Sequence, residues 1–457
     1  MSALLDAWRD APTQRKVWAL AAPMILSNLS VPLAALVDTA VVGHMPHAHQ
    51  LAAVAVGGNL YTLLVWAMGF LRMGTTGFAA QATGRADGGA LRQVLLQGLV
   101  LGVALAVVLA VLAVPLSQVA LELMRPSTEL EDLVLEFFQV RLFGLPATLA
   151  TFALIGWLLG TQNARAPLAM MLTINLINVG LDLWFVLGLE WGVVGVAWAS
   201  VIAEWCGVLL GLWLARAALA RYPGRMQPAA LRRWAAWRPL LSVNRDIFIR
   251  SLALQLVFFL ITVRGTRLGD TTVAANALLL TGLTLTAYAL DGLAHALEAL
   301  CGHALGARDR TALHRSLWVA GAWSLLASLG FALFFVFGGR FYVSLLTDIA
   351  EVKEMALIFL PYLAVLPLVA VWSYLLDGLF IGATRAREMR NAMLMALALA
   401  LPLGWLLRDF GNHGLWLAFV VFMALRGLVL GGYAWRLTRR DAWLSPSLRA
   451  GSGCQEA

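Results

Sequence analysis

Apolar residues run along this chain in long stretches, interrupted by short clusters of glycine, proline and charge. About 20 consecutive apolar residues let one helix cross the hydrocarbon core of a bilayer. Breaking the chain at its Gly/Pro/charged clusters predicts twelve such helices. The first six spans cover 17–42, 51–80, 93–120, 132–160, 166–189 and 193–215. The second six cover 243–266, 272–303, 314–346, 353–383, 389–407 and 414–435. A β-barrel is excluded, because its strands alternate over only about ten residues. The first stretch follows Arg15-Lys16 and is too long for the apolar region of a cleaved leader.

Composition agrees. The 457 residues are 61% hydrophobic and 13% charged, with a mean hydropathy of +0.80. Soluble domains are about half apolar and about a quarter charged, so a soluble enzyme and a disordered chain are both excluded. The expected fold is an all-α membrane protein of twelve transmembrane helices.

The net charge of +8 fixes orientation. Every basic residue except Lys16 and Lys353 is arginine. With the N-terminus inside, the outer loops hold only Arg125, Arg267, Arg340, Lys353 and Arg408, and most of the rest fall in inner segments. That asymmetry places both termini in the cytoplasm. No basic run alternates with aromatics, so nucleic-acid binding is not expected. Cys206, Cys301 and Cys454 are scattered, giving neither a disulfide framework nor a metal spacing.

The basic segment Arg216–Arg245 divides the chain almost in half, and the halves repeat. A shift of about 222 residues lays Gly84-x-x-Asp87-x-x-Ala90-Leu91 on Gly306-x-x-Asp309-x-x-Ala312-Leu313. The same shift lays Gly160-x-x-x-Ala164-Arg165 on Gly382-x-x-x-Ala386-Arg387, and Gly43 on Gly265. Six spans per copy make the two six-helix bundles parallel repeats. The predicted organisation is an N-lobe over 1–215, a basic linker over 216–242, a C-lobe over 243–440 and a cytoplasmic tail over 441–457.

Ionisable residues inside the spans each need a reason, because insertion costs about 2.5–3.5 kcal/mol at the bilayer centre. Span 1 carries Pro23, Pro32 and Asp38. Each proline frees a carbonyl in the turn before it, so the helix can bend and the carbonyls can accept hydrogen bonds. In span 5, Asn178 and Asp182 share a face. Two intramembrane carboxylates near one another share a proton more readily than they bear two charges. The alternative for Asp38 is a simple ion pair, for instance with Arg72 in span 2. Asp291, His295 and Glu298 make one stripe on span 8. It is either a second titratable site or a buried network with Arg264 or Arg426. Asp377 lies in span 10 and Glu204 in span 6. His44, His47 and His49 crowd one outer loop, but no cysteine or carboxylate joins them, and no metal site is expected.

Enzyme motifs are absent from the sequence. There is no His-Glu-x-x-His, no Gly-x-Ser-x-Gly and no phosphate-binding loop ending in Lys-Ser/Thr. No cofactor is expected, and an ion gradient must supply the energy.

Twelve spans in two parallel halves, with Pro23 and Asp38 in span 1, resemble the multidrug and toxic compound extrusion (MATE) transporters of the MOP superfamily. Four strings resemble the DinF-like subfamily: Phe70-Leu71-Arg72-Met73-Gly74-Thr75-Thr76-Gly77, Ala287-Tyr288-Ala289-Leu290-Asp291-Gly292, Gly306-Ala307-Arg308-Asp309, and the run from Leu376-Asp377-Gly378 to Ala386. The resemblance implies a V-shaped pair of bundles, alternating access, and export of organic cations against protons or sodium. It implies a bending role for Pro23, a protonatable carboxylate at Asp38, a polar pair at Asn178 and Asp182, and a hydroxyl at Ser200. Tyr61 and Met171 are further candidate liners of an N-lobe cavity. In the NorM branch, acids of spans 7 and 10 form a second site. Asp377 matches the latter, but no carboxylate lies between Ser251 and Gly265, which favours the N-lobe site and a proton. The expected setting is a monomer among lipids in a bacterial inner membrane. Sodium coupling and the flipping of a lipid-linked precursor are the alternatives.

Overall fold

The computed structural model describes residues 8, 10–45, 47–124, 127–226 and 231–443, and every regular element in them is helical. A bilayer offers no partner for backbone N–H and C=O groups, so a spanning helix must satisfy its own. Eleven helices are long and apolar enough to cross, and a bent pair makes a twelfth. Span 1 is Ala11–Val42, unbroken through both prolines. Span 2 is Ala48–Gly84, with a 3-10 turn at Ala67–Gly69. Spans 3, 5 and 6 lie within Gly88–Met124, Arg165–Gly188 and Gly192–Leu219. Spans 7 to 12 are Trp234–Arg267, Asp270–Gly306, Arg310–Leu346, Ala350–Gly382, Ala386–Leu406 and Arg408–Arg439.

Span 4 differs from the single helix expected over 132–160. It is two helices, Thr128–Leu142 and Leu145–Gly160, bent by 47°. Gly144 and Pro146 supply the break: glycine weakens a helix interior, and proline in the first turn of the second helix brings no N–H to continue the ladder of the first. Span 7 also begins nine residues early, at Trp234, so part of the predicted linker is helical. Most of the predicted tail, 444–457, lies outside the described residues.

The chain forms two compact units, Leu26–Leu241 and Met1–Ile25 with Ser242–Ala457. The division therefore cuts span 1 two residues past Pro23, whereas the predicted N-lobe held all of it. Local contacts explain why the start of the chain joins the second unit. The Trp18 ring meets Trp323 edge-on at 5.0 Å, and Trp323 Nε1 donates to Gln14 Oε1 at 2.6 Å. Asp10 caps the helix by accepting from Thr13 N at 3.3 Å and faces Arg315 at 3.8 Å. The Thr13 hydroxyl, with help from Arg315, holds the Asp10 carboxyl below the ordinary carboxylate range. This anchor is at full strength above that range and is lost only as pH falls below it.

The repeat is visible in the backbone. Asp87 accepts from Ala90 N at 2.9 Å, and Asp309 from Ala312 N at 2.9 Å. Ala86 and Arg308 take φ of 54° and 58°, and Gln162 and Thr384 take 59° and 55°. A Cβ on Gly156 would lie 2.2 Å from the Arg72 carbonyl, and one on Gly378 would lie 2.4 Å from the Ala294 carbonyl. Each of these pairs is separated by about 222 residues, so both units bring their second and fourth helices to the same glycine-mediated contact. Around that contact the first unit packs Trp157, Leu158 and Met170. The buried core of the second unit includes Trp416, Phe419, Phe422 and Met423, toward the starts of spans 8 and 10.

Candidate functional site

Within Leu26–Leu241, spans 1, 2, 4, 5 and 6 bring most of the predicted N-lobe residues together. The site starts at the C-terminal part of span 5. There the α-helix ends at Asp182 and a π-helical turn, Leu183–Gly188, follows. Such a turn interrupts the i→i−4 ladder and is frequent at functional sites. Asp182 is only 1% exposed. Neither of its oxygens meets a donor among the described residues, nor does Oδ1 of Asp38. The two carboxyl groups nevertheless lie within hydrogen-bonding reach of one another. Two facing acceptors with no donor between them are satisfied by a proton, which turns one into a donor.

The next turn of span 5 adds Asn178, whose amide donates to the Ser200 hydroxyl of span 6 at 3.3 Å. One turn further back, Asn175 Nδ2 donates to Ser30 Oγ of span 1 at 3.0 Å. Span 5 therefore holds span 1 and span 6 through amides on one helical face.

The basic neighbour of Asp38 is Arg141 rather than Arg72. Arg141 ends the first half of span 4, beside the bend, and donates to Glu204 Oε1 of span 6 at 2.8 Å. Its guanidinium lies 4.0 Å above the Tyr61 ring, and the Tyr61 hydroxyl bonds the Thr148 hydroxyl at 2.9 Å. Sequence reading named Glu204 only as an intramembrane acid and passed over Arg141. The signal was available: Arg141 lies inside a predicted span. Bending at Gly144 lets the pair form, because a Cβ there would sit 2.4 Å from Glu204 Oε2. We expect Gly144→Ala to force Glu204 off Arg141 and to lower stability by about 1–3 kcal/mol, as overpacking does; thermal unfolding of the purified protein measures it.

Other candidates lie elsewhere. Met171 packs against the Trp157 cluster. Arg72 accepts the Thr76 hydroxyl on its carbonyl and gives its backbone to the Gly156 contact. His47 and His49 stack at 5.1 Å while His44 Nδ1 bonds the Ala40 carbonyl, and among the described residues no His/Cys/acid group could hold a metal.

In the second unit, Asp377 Oδ2 accepts from Arg250 at 3.1 Å and from Arg426 at 3.0 Å. Both arginines are almost fully buried. Tyr374 lies in electrostatic reach of Asp291, Asp377 and Arg426, which ties the span-8 stripe to this triad. Glu298 is buried on the same stripe, and Arg264 instead donates to the Arg408 carbonyl at 3.0 Å.

The MatE family model matches this chain twice, over residues 23–184 and 247–406. The chain belongs to the MatE family. The two matched stretches are the two repeats. DNA damage-inducible protein F of Escherichia coli (strain K12) is 44% identical over 439 residues, covering 95% of this chain and 94% of that protein. Two crystal structures of MATE, in the bent and the straight conformation, align at TM-scores of 0.84 and 0.83, each at 19% identity and over 97% of this chain, covering 98% and 99% of theirs. The fold is thus the MATE fold, and this MatE protein is a multi-pass membrane transporter rather than an enzyme.

Proposed function

We propose that this MatE protein exports lipophilic, mostly cationic compounds in exchange for protons, by alternating access. The observation that carries the reading is the Asp38–Asp182 pair: two facing carboxylates without a fixed donor, beside an arginine already paired to Glu204. Such a pair takes a proton in one state and, once it is released, offers negative charge to an organic cation. Binding of proton and cation is then mutually exclusive, which is what an exchanger requires. Asn178 and Ser200 tie span 5 to span 6 next to the pair, and Tyr61 holds Arg141 beside it. Span 1 leaves one compact unit for the other just past Pro23, so bending there would couple protonation of Asp38 to substrate release.

Two observations favour the proton over sodium. The two carboxyl groups lie within hydrogen-bonding reach of one another, a separation that a single proton bridges. Asp377 is already bound by two guanidinium groups. The relationship to the Escherichia coli protein favours a bacterial inner membrane, and the arginine asymmetry favours cytoplasmic termini. The test is dye efflux from vesicles containing the purified protein. A proton gradient alone should drive efflux of an ethidium-like cation, and a sodium gradient alone should not; the opposite result overturns proton coupling.

A further inference from the structure

The second unit holds a pocket of about 210 Å³ between spans 7, 11 and 12. It occupies the repeat-related position of the Asp38–Asp182 site. Displacement by about 222 residues carries Asp38 to Leu260, Asn178 to Ala400 and Asp182 to Gly404. Span 12 follows a slightly shorter displacement of about 219 residues, set by Gly192 and Gly411, which take φ of 56° and 57° at the starts of spans 6 and 12. That carries Ser200 to Phe419. All four counterparts, Leu260, Ala400, Gly404 and Phe419, line the pocket. The same helical niche exists in both units, with every polar group of the first replaced by hydrocarbon or glycine in the second.

Such a niche holds water poorly. A stable buried water needs two to four polar partners, and apolar cavities stay dry. The one charged residue in the lining is Arg264. The acid of the neighbouring loop, Asp409, pairs with Arg408 at 3.5 Å. Among the described residues Arg264 makes one hydrogen bond, to the Arg408 carbonyl, and no ion pair. A hydrocarbon slot beside one uncompensated guanidinium complements a chain with an anionic head.

We propose that this pocket seats an acyl chain of an anionic phospholipid whose phosphate is held by Arg264. Arginine suits the head group because its fork of donors binds phosphate bidentately. The proposal stands apart from proton coupling, since it uses none of those residues. It gives the second repeat a role of its own: a fixed lipid wedge between spans 7, 11 and 12 where the first repeat has a titrating pair.

The test uses the full chain in phosphatidylcholine vesicles doped with a photoactivatable lipid carrying a diazirine on its acyl chain, as phosphatidylglycerol or as phosphatidylcholine. Cross-linked peptides are then mapped by mass spectrometry. In the wild type the anionic probe should label spans 7, 11 and 12 about fivefold more than the zwitterionic one, the factor expected of one basic side chain at an anionic head group. Arg264→Gln, at a partly buried position where the amide can still donate to the Arg408 carbonyl, should erase that preference while labelling persists. Gly404→Leu should suppress labelling by both probes, because its side chain fills the slot; Leu260→Phe, which fills it from span 7, serves if that variant does not fold. Equal labelling by both head groups in the wild type, or undiminished labelling in the filled variants, overturns the proposal. Competition by an ethidium-like cation overturns it too, because the pocket would then be a substrate site.

Discussion

Asp38→Asn should reduce proton-driven dye efflux to the background of empty vesicles while leaving the protein folded. Unpaired carboxylate oxygens face one another across spans 1 and 5. Asp182 is almost completely buried and neither of its oxygens has a donor among the described residues. An asparagine at 38 keeps the shape of the aspartate and supplies an N–H that can donate to Asp182, so it copies the protonated pair permanently. The change should therefore leave stability unaltered or raise it by about 0.5–1.5 kcal/mol, the net worth of one hydrogen bond. What it removes is the ability to release a proton. Wild-type protein should release a proton when a cationic dye binds, and the variant should release none. Asp182→Asn should give the same loss from the other side, and the double variant should be no worse than either, since residues acting as one unit are not additive. A variant with normal efflux sinks the role of Asp38. Loss of efflux with loss of folding would instead mark it as a packing residue.

Much of this was legible because membrane insertion punishes charge. Asp38, Asn178, Asp182 and Ser200 stand out as polar positions on apolar helices, and the structure gathers them. The repeat was legible from loops, because positive φ and helix capping restrict residue choice: Asp87 and Asp309 recur for a reason the backbone supplies. The partners across helices were not legible. Pairing Asp38 with Arg72 needed only that both lie in neighbouring spans. The actual neighbour, Arg141, depends on a bend that Gly144 and Pro146 permit but whose direction no periodicity encodes. The unit boundary was hidden for a related reason. A continuous apolar run says that span 1 is one helix, and the tryptophan contacts of its first turns, which join it to the second unit, are long-range.

Asp377→Asn should destabilise the protein by about 3–5 kcal/mol, the cost of stripping the partner from a buried charge. Arg250 and Arg426 share its Oδ2, and the Arg426 side chain is only 2% exposed. The substitution leaves two buried guanidinium groups facing a neutral amide in place of the carboxylate that offset their repulsion. Arg426→Met added to it removes one of those charges and packs against Met423 and Phe422, which Arg426 now touches. The double variant should therefore recover part of the loss, and the coupling measures how far the triad acts as a unit. Salt identity separates this structural role from a cation site. If Asp377 held sodium, wild-type stability would rise with sodium by mass action and the rise would vanish in Asp377→Asn. A carboxylate whose single charge is already met by two buried guanidinium groups has none left to hold sodium. Thermal unfolding of both proteins in sodium, and in choline at matched ionic strength, should show the same gap between them in either salt.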